Sequence, residues 1–229
     1  MGIYRLIGII IQARMGSSRL PGKVLRQIGE KVLLEHILFR LKRLKSETKV
    51  IIATSDLKKD DEIENFCSQN NISCFRGSES NVLQRYYLCA KENNFEHIVR
   101  LTGDNPFVDI EELDALIELH VETQADYSRS FAILPKGVGA EIFSFNALEQ
   151  SYKYGKKENH QEHVNEYIEE NEEQFKISEL QVSIEKNRPE LSLTVDTKDD
   201  YEKACYIVRN SKNEYISTQE AINLCSQYV

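Results

Sequence analysis

The amino-acid sequence predicts an α/β fold: a largely parallel, doubly wound sheet with helices on both faces. Short β-branched apolar runs alternate with helix-period segments from the start of the chain, a βαβαβαβα rhythm that right-handed crossovers turn into such a sheet. The first run, Gly8 to Ile11, is apolar throughout, as a strand buried on both faces should be. With 229 residues, 41% hydrophobic and 29% charged, the chain is long enough to bury one core without disulfide or metal support.

The elements follow in order. After the first strand, Val32, Leu33, Ile37, Leu41 and Leu44 recur at helical spacing. Lys49 to Thr54 is the next strand, Asp60 to Asn70 a helix and Ile72 to Phe75 a short strand. Asn81 to Asn93 reads as a helix with Val82, Leu83, Tyr86 and Ala90 on one side. His97 to Leu101 is a strand, and Glu111 to Glu122 a helix. The rhythm changes after Asp126. Ala140 to Ser144 reads as a strand, followed by polar helices near Asn146 to Tyr154 and Gln161 to Asn171. Strands are expected at Phe175 to Val182 and Leu191 to Val195, and helices at Asp199 to Arg209 and Thr218 to Ser226. With no repeat or linker, residues 1–229 read as one domain, in which 130–190 is an insertion shaping an acceptor site or an oligomer contact.

The formal net charge of -8 argues against a general nucleic-acid surface, which needs a broad positive field. Leu6 to Ile11 is far too short to cross a bilayer and, with Arg14 close behind and no small-residue cleavage site, is a poor signal peptide. The five cysteines are spread without a C-x-x-C pair. Reduced thiols in the cytoplasm are expected.

The most informative segment is Gln12 to Lys23, QARMGSSRLPGK, placed directly after the first strand. In an open parallel sheet that is the carboxyl edge where ligands bind. Gly16 and Gly22 permit close backbone approach, Ser17 and Ser18 add hydroxyls, and Arg14, Arg19 and Lys23 add cations suited to phosphate oxygens. Residues 1–29 hold Arg5, Arg14, Arg19, Lys23 and Arg26 and no acid. The loop is neither a Walker A sequence, since Val24 stands where Ser or Thr is needed, nor a G-x-G-x-x-G fingerprint.

A triphosphate site calls for Mg²⁺, which takes one or two carboxylates among hard oxygen ligands. Asp104 follows the strand ending at Leu101, and Asp196 follows the predicted strand Leu191 to Val195. Each also has a reading as a helix cap. For Asp196 the two readings are balanced, whereas Pro106 separates Asp104 from its helix. His160 and His163 read as a surface pair rather than a zinc site, for want of a third ligand. No nucleophile elbow supports hydrolase chemistry.

These segments resemble the cytidylyltransferase family. The resemblance rests on IIQARMGSSRLPGKVL, IIATS at 51–55, FRGSESNVLQRYY at 75–87, RLTGDNPFVD at 100–109 and LTVDTKDDYEKA at 193–204, in order across nearly the whole chain. The family includes the enzymes that make CMP-activated acidic sugars such as CMP-3-deoxy-manno-octulosonate. Within it the sequence is most similar to the spore-coat polysaccharide proteins of the SpsF type. The resemblance implies a three-layer α/β/α nucleotidyltransferase fold, GT-A-like and Rossmann-like, with a mostly parallel mixed sheet. It also implies a nucleotidyltransferase that moves CMP from CTP to a small acceptor in surface-glycan synthesis.

Residue by residue, it implies nucleotide binding by Gln12, Ala13, Arg14, Gly16, Ser17, Arg19, Lys23, Ser78, Arg85, Thr102 and Asp104. Arg14, Arg19, Lys23 and Asp104 would carry catalysis, and Asp104 and Asp196 would hold Mg²⁺. Glu141 and His163, in segments that match the SpsF branch, are the acceptor-side candidates; Glu141 would receive an acceptor hydroxyl or join a metal site, and reads equally as a charge at a strand edge. A homodimer is expected. Lys198 departs from the proline usual after V-D-T. A glycosyltransferase on the same fold would be expected to carry D-x-D, which Gly103-Asp104-Asn105 is not; a non-catalytic nucleotide-binding protein is the third reading.

Overall fold

The computed structural model describes residues 6–131 and 133–228. A seven-stranded sheet runs in the order β5-β4-β1-β6-β8-β7-β9. Its parallel half comprises β1 (Ile7–Gln12), β4 (Lys49–Ser55), β5 (Ser73–Gly77) and β6 (His97–Thr102). β7 (Tyr127–Arg129) and β8 (Glu141–Ser144) pair antiparallel to each other, β8 pairs antiparallel to β6, and β9 (Ile177–Glu179) closes the edge parallel to β7. A small hairpin of β2 (Gln27–Ile28) and β3 (Lys31–Val32) stands apart.

Alternation along the central strands explains the layers. Ile9, Ile11, Ile52, Val99 and Leu101 point into one core, with α1 (Leu33–Leu41), α2 (Asp61–Gln69), α4 (Ile110–Thr123), α8 (Lys198–Asn210) and α9 (Thr218–Cys225) contributing to it. Ile10, Ile51, Ala53 and Ile98 point into a second core with α3 (Val82–Glu92), α5 (Phe145–Tyr154) and α7 (Glu166–Glu169), beside α6 (Glu158–Glu162). Each fully buried isoleucine contributes about 1.5–3 kcal/mol, so β1, apolar on both faces, holds the two layers together.

Three expected elements differ. Leu191 to Val195 is not a sheet strand; it is held by an isolated bridge between Lys136 and Ser192 and by hydrogen bonds to Lys136 and Asp104. The helix expected over Gln161 to Asn171 is split into α6 and α7, since His163 is extended (φ -115°, ψ 112°). β7 lies in the turn-like stretch after Asp126 and is too short to show period-2 alternation. The Phe175 to Val182 strand shrinks to β9. The acidic stretch 166–173 is tied down by its partners: Arg129 pairs with Glu169, and Glu170 pairs with Lys157 and is bonded to His160. Among the described residues no helix is long and apolar enough to cross a membrane.

Candidate active site

The loop after β1 is built to be rigid. Met15 O accepts both Ser17 N–H and Gly22 N–H at 3.0 Å, folding Met15 to Gly22 back on itself. Gly22 sits at φ +66°, where an L side chain is strained. Leu20 and Val24, both buried, flank the turn and plug it into the first core. Between them stands Lys23, the first residue of the 3-10 turn Lys23–Leu25 and only 9% exposed. At the next strand end, Gly103 N–H donates to Gln12 O at 2.7 Å, and a Cβ there would lie 3.0 Å from both Gln12 O and Ala13 Cβ. Glycine therefore lets the β1 and β6 ends close on one another.

These strand ends bound a cavity of about 270 Å³ lined by Gln12, Ala13, Arg14, Gly16, Ser17, Arg19, Lys23, Thr102, Asp104 and Asp196, among others. Lys23 Nζ donates to Asp104 Oδ2 at 2.8 Å and to Asp196 Oδ1 at 2.7 Å, so two carboxylates 92 positions apart face one point. Arg19 reaches Asp196 Oδ2 at 3.2 Å, while Arg14 is exposed at the mouth. Burial alone would raise the Asp196 pKa, but Lys23, then Arg19 and Lys136, outweigh it and hold the carboxyl below its ordinary value. Thr102 Oγ1 donates to Asp104 Oδ1 at 2.6 Å and orients it.

Neither aspartate is a helix cap. Asp109 caps α4, and Thr197 caps α8 in a reciprocal box with Asp200. Asp196 is the residue immediately before that cap, so the helix start sets its direction without consuming its side chain. Mg²⁺ bound with substrate phosphates needs only one or two protein carboxylates. A pair converging on one cationic point fits that requirement. Among the described residues no cage of three or more His, Cys, Asp or Glu side chains forms.

Other expected residues lie elsewhere. Arg85 is completely buried under the β5–α3 connection, donating from Nη1 to Ser78 O at 2.6 Å; its Nε and Nη2 are buried without a partner. Glu141 is 4% exposed, and both oxygens are engaged, by Arg100 Nη1 and by Tyr127 O–H at 2.6 Å. Burial works against the Arg100 charge, but Glu141 outweighs it and the guanidinium pKa is raised. His163 is exposed at the end of α6 and does not line the cavity. The two histidines are not a surface pair: His160 is 3% exposed and bonded to Glu170.

One residue escaped the sequence reading. Asp60, fully buried, accepts Met15 N–H at 2.7 Å, Ser55 N–H at 3.1 Å and the Ser55 hydroxyl, tying the phosphate loop to the end of β4. Burial would raise its pKa, but these bonds overcome that and lower it. Its signal was the acidic run after the second strand, in which Asp56, Asp60 and Asp61 are indistinguishable without the fold.

A cationic loop after the first strand faces carboxylates from two other segments across a parallel-sheet edge, an arrangement suited to a nucleoside triphosphate. A cytidylyltransferase family profile matches residues 8–222, and the chain belongs to this family. The spore coat polysaccharide biosynthesis protein SpsF of Bacillus subtilis strain 168 is 38% identical over 225 residues, covering 95% of this chain and 93% of that one. The structure of a cytidylyltransferase from Leptospira borgpetersenii superposes with a TM-score of 0.91 at 34% identity, over 98% of this chain and 95% of the other. The fold is also that of CMP:2-keto-3-deoxy-manno-octonic acid synthetase complexed with CTP, with a TM-score of 0.69 at 18% identity, over 89% of this chain and 98% of the other.

Proposed function

We propose that this enzyme transfers CMP from CTP to a hydroxyl or phosphate of a small, sugar-like acceptor and releases pyrophosphate, in the synthesis of a surface polysaccharide. The observation that carries this reading is the Lys23 ammonium set between Asp104 and Asp196 inside the loop that Arg14 and Arg19 rim. Transfer of this kind needs alignment and charge stabilisation more than covalent help. Arg14 and Arg19 would bind the terminal phosphates and Lys23 would neutralise the departing pyrophosphate. Asp104, oriented by Thr102, and Asp196 would hold Mg²⁺, whose contribution when bound is to polarise the α-phosphate. Arg85, behind Ser78, would support the nucleoside end.

We further assign the protein to the cytoplasm and to a homodimer built on residues 130–190, whose β8 joins the sheet beside β6. The deciding experiment is a pyrophosphate-release screen with each of the four NTPs, Mg²⁺ and a panel of acceptors. Acceptor-dependent release from CTP is expected. Sugar transfer from a sugar nucleotide without pyrophosphate, or CTP binding with no turnover, would sink the reading.

A further inference from the structure

Every oxygen of the two site carboxylates already has a partner within the chain. Lys23 Nζ donates to Asp104 Oδ2 and Asp196 Oδ1, Thr102 Oγ1 donates to Asp104 Oδ1, and Arg19 Nη2 reaches Asp196 Oδ2. Lys23 is the central member: its side chain is 11% exposed, and its ammonium stands between the carboxylates at hydrogen-bond distance from both. The two cations of this set, Lys23 and Arg19, are ones that the reading above assigns to phosphate groups. Arg14, exposed at the mouth, forms no ion pair among the described residues and is available to meet the first phosphate.

That arrangement sets an order of binding. Mg²⁺ bonds oxygen at about 2.1 Å, so an ion shared by Asp104 Oδ2 and Asp196 Oδ1 would lie within about 5 Å of Nζ in its present position. A divalent cation and an ammonium repel at that range, and a partly buried site is screened little by salt. The charges of Arg19, Lys23, Asp104 and Asp196 also cancel, so a divalent cation by itself would bring its whole charge into the cavity uncompensated. A triphosphate changes both conditions. Its oxygens offer Lys23 and Arg19 new acceptors, and its negative charge balances the metal's. The flexible four-carbon stem of Lys23 can carry the ammonium from one set of oxygens to the other while the backbone turn at Gly22 stays in place. The geometry points to Lys23 as a placeholder for the metal: it keeps divalent cations off Asp104 and Asp196 until a triphosphate draws it away, so nucleotide and metal bind with positive coupling. By reciprocity the metal tightens nucleotide binding by the same factor.

The inference rests on the cytidylyltransferase reading of the site, and a titration without nucleotide separates the two. Mn²⁺, whose electron paramagnetic resonance signal reports the unbound ion, is the probe for Mg²⁺ on the full chain. The unmodified protein is expected to bind Mn²⁺ weakly, and Lys23→Met at least about tenfold more tightly, within the usual range of coupling factors. Lys23→Met combined with Asp196→Asn should fall back to the unmodified level, which a merely structural role of Lys23 would not produce. Calorimetry then reads the coupling itself: Mg²⁺ in place of EDTA should tighten CTP binding by about tenfold or more in the unmodified protein, and by clearly less in Lys23→Met. Equal Mn²⁺ binding by the two forms, binding by neither, or an equal gain from Mg²⁺ in both overturns the proposal. Sub-millimolar Mn²⁺ binding by the unmodified protein overturns it without any variant, and Lys23→Gln replaces Lys23→Met should the latter not fold. Failure to release pyrophosphate from CTP with any acceptor would instead sink the underlying reading, whatever the manganese titration shows.

Discussion

Lys23 shows how much one side chain can be asked to do. Its ammonium is buried and lies within 2.8 Å of two carboxylates. Removing one preorganised charge contact of this kind costs about a hundred- to a thousandfold in rate. Lys23→Ala and Asp104→Asn are each expected to lose that much pyrophosphate release while keeping a cooperative melt; near-normal turnover would remove the assigned role. Lys23→Ala also leaves two facing carboxylates uncompensated. Mg²⁺ should therefore raise its melting temperature more than that of the unmodified protein, which a thermal-shift titration reads directly.

Asp60 makes a different prediction, about acid. Its folded-state pKa is lowered, so its contribution to stability is fully present above the ordinary carboxylate pKa of about 3.9 and is lost as pH falls through the folded value. Between about pH 5 and 2, the melting temperature of Asp60→Asn should fall less than that of the unmodified protein. Parallel curves for the two would show that the buried carboxylate has no such linkage. The identity of this residue was hidden in sequence because three aspartates follow β4 within six positions, and only the turn Lys58–Asp60 aims one of them at Met15 N–H.

At the scale of elements, the loop after β1 and the start of α8 carry the proposed site. Gly22→Ala would force a left-handed residue, costing about 1–2 kcal/mol, and is expected to lower both the melting temperature and turnover by displacing Lys23. Thr197→Ala breaks the α8 capping box and should cost about 1 kcal/mol. Because Asp196 directly precedes that cap, turnover should fall by more than the loss of folded protein explains. A denaturant melt beside a rate measurement tests both, and activity falling only in step with the folded fraction would detach Asp196 from the cap. The elements that periodicity predicted well, β1, β4, β6 and the helices between them, are those buried by the parallel half of the sheet. Leu191 to Val195 also reads locally as a strand, with Leu191, Leu193 and Val195 alternating with Ser192 and Thr194. It meets only the short segment at Lys136 in an isolated bridge, and no local pattern reports that.

At the scale of the whole molecule, the net charge of -8 conceals an uneven distribution. Residues 1–29 carry five cations and no acid, which leaves the other 200 at -13. The cationic stretch ends in a cavity whose back wall is two aspartates, so cations and carboxylates meet within one small space. A homodimer built on 130–190 should give twice the chain mass of 26.5 kDa by light scattering, and a monomeric mass would remove that assignment. By itself the sequence determined the parallel core, the cationic loop after the first strand and the two aspartates, because strand burial and loop composition are local properties. Only the tertiary structure decided that Asp104 and Asp196 converge on Lys23, that Asp60 anchors the loop and that Arg100 pairs with Glu141. Each of those pairs residues from separate crossovers, and long-range register, not local composition, sets which side chains meet.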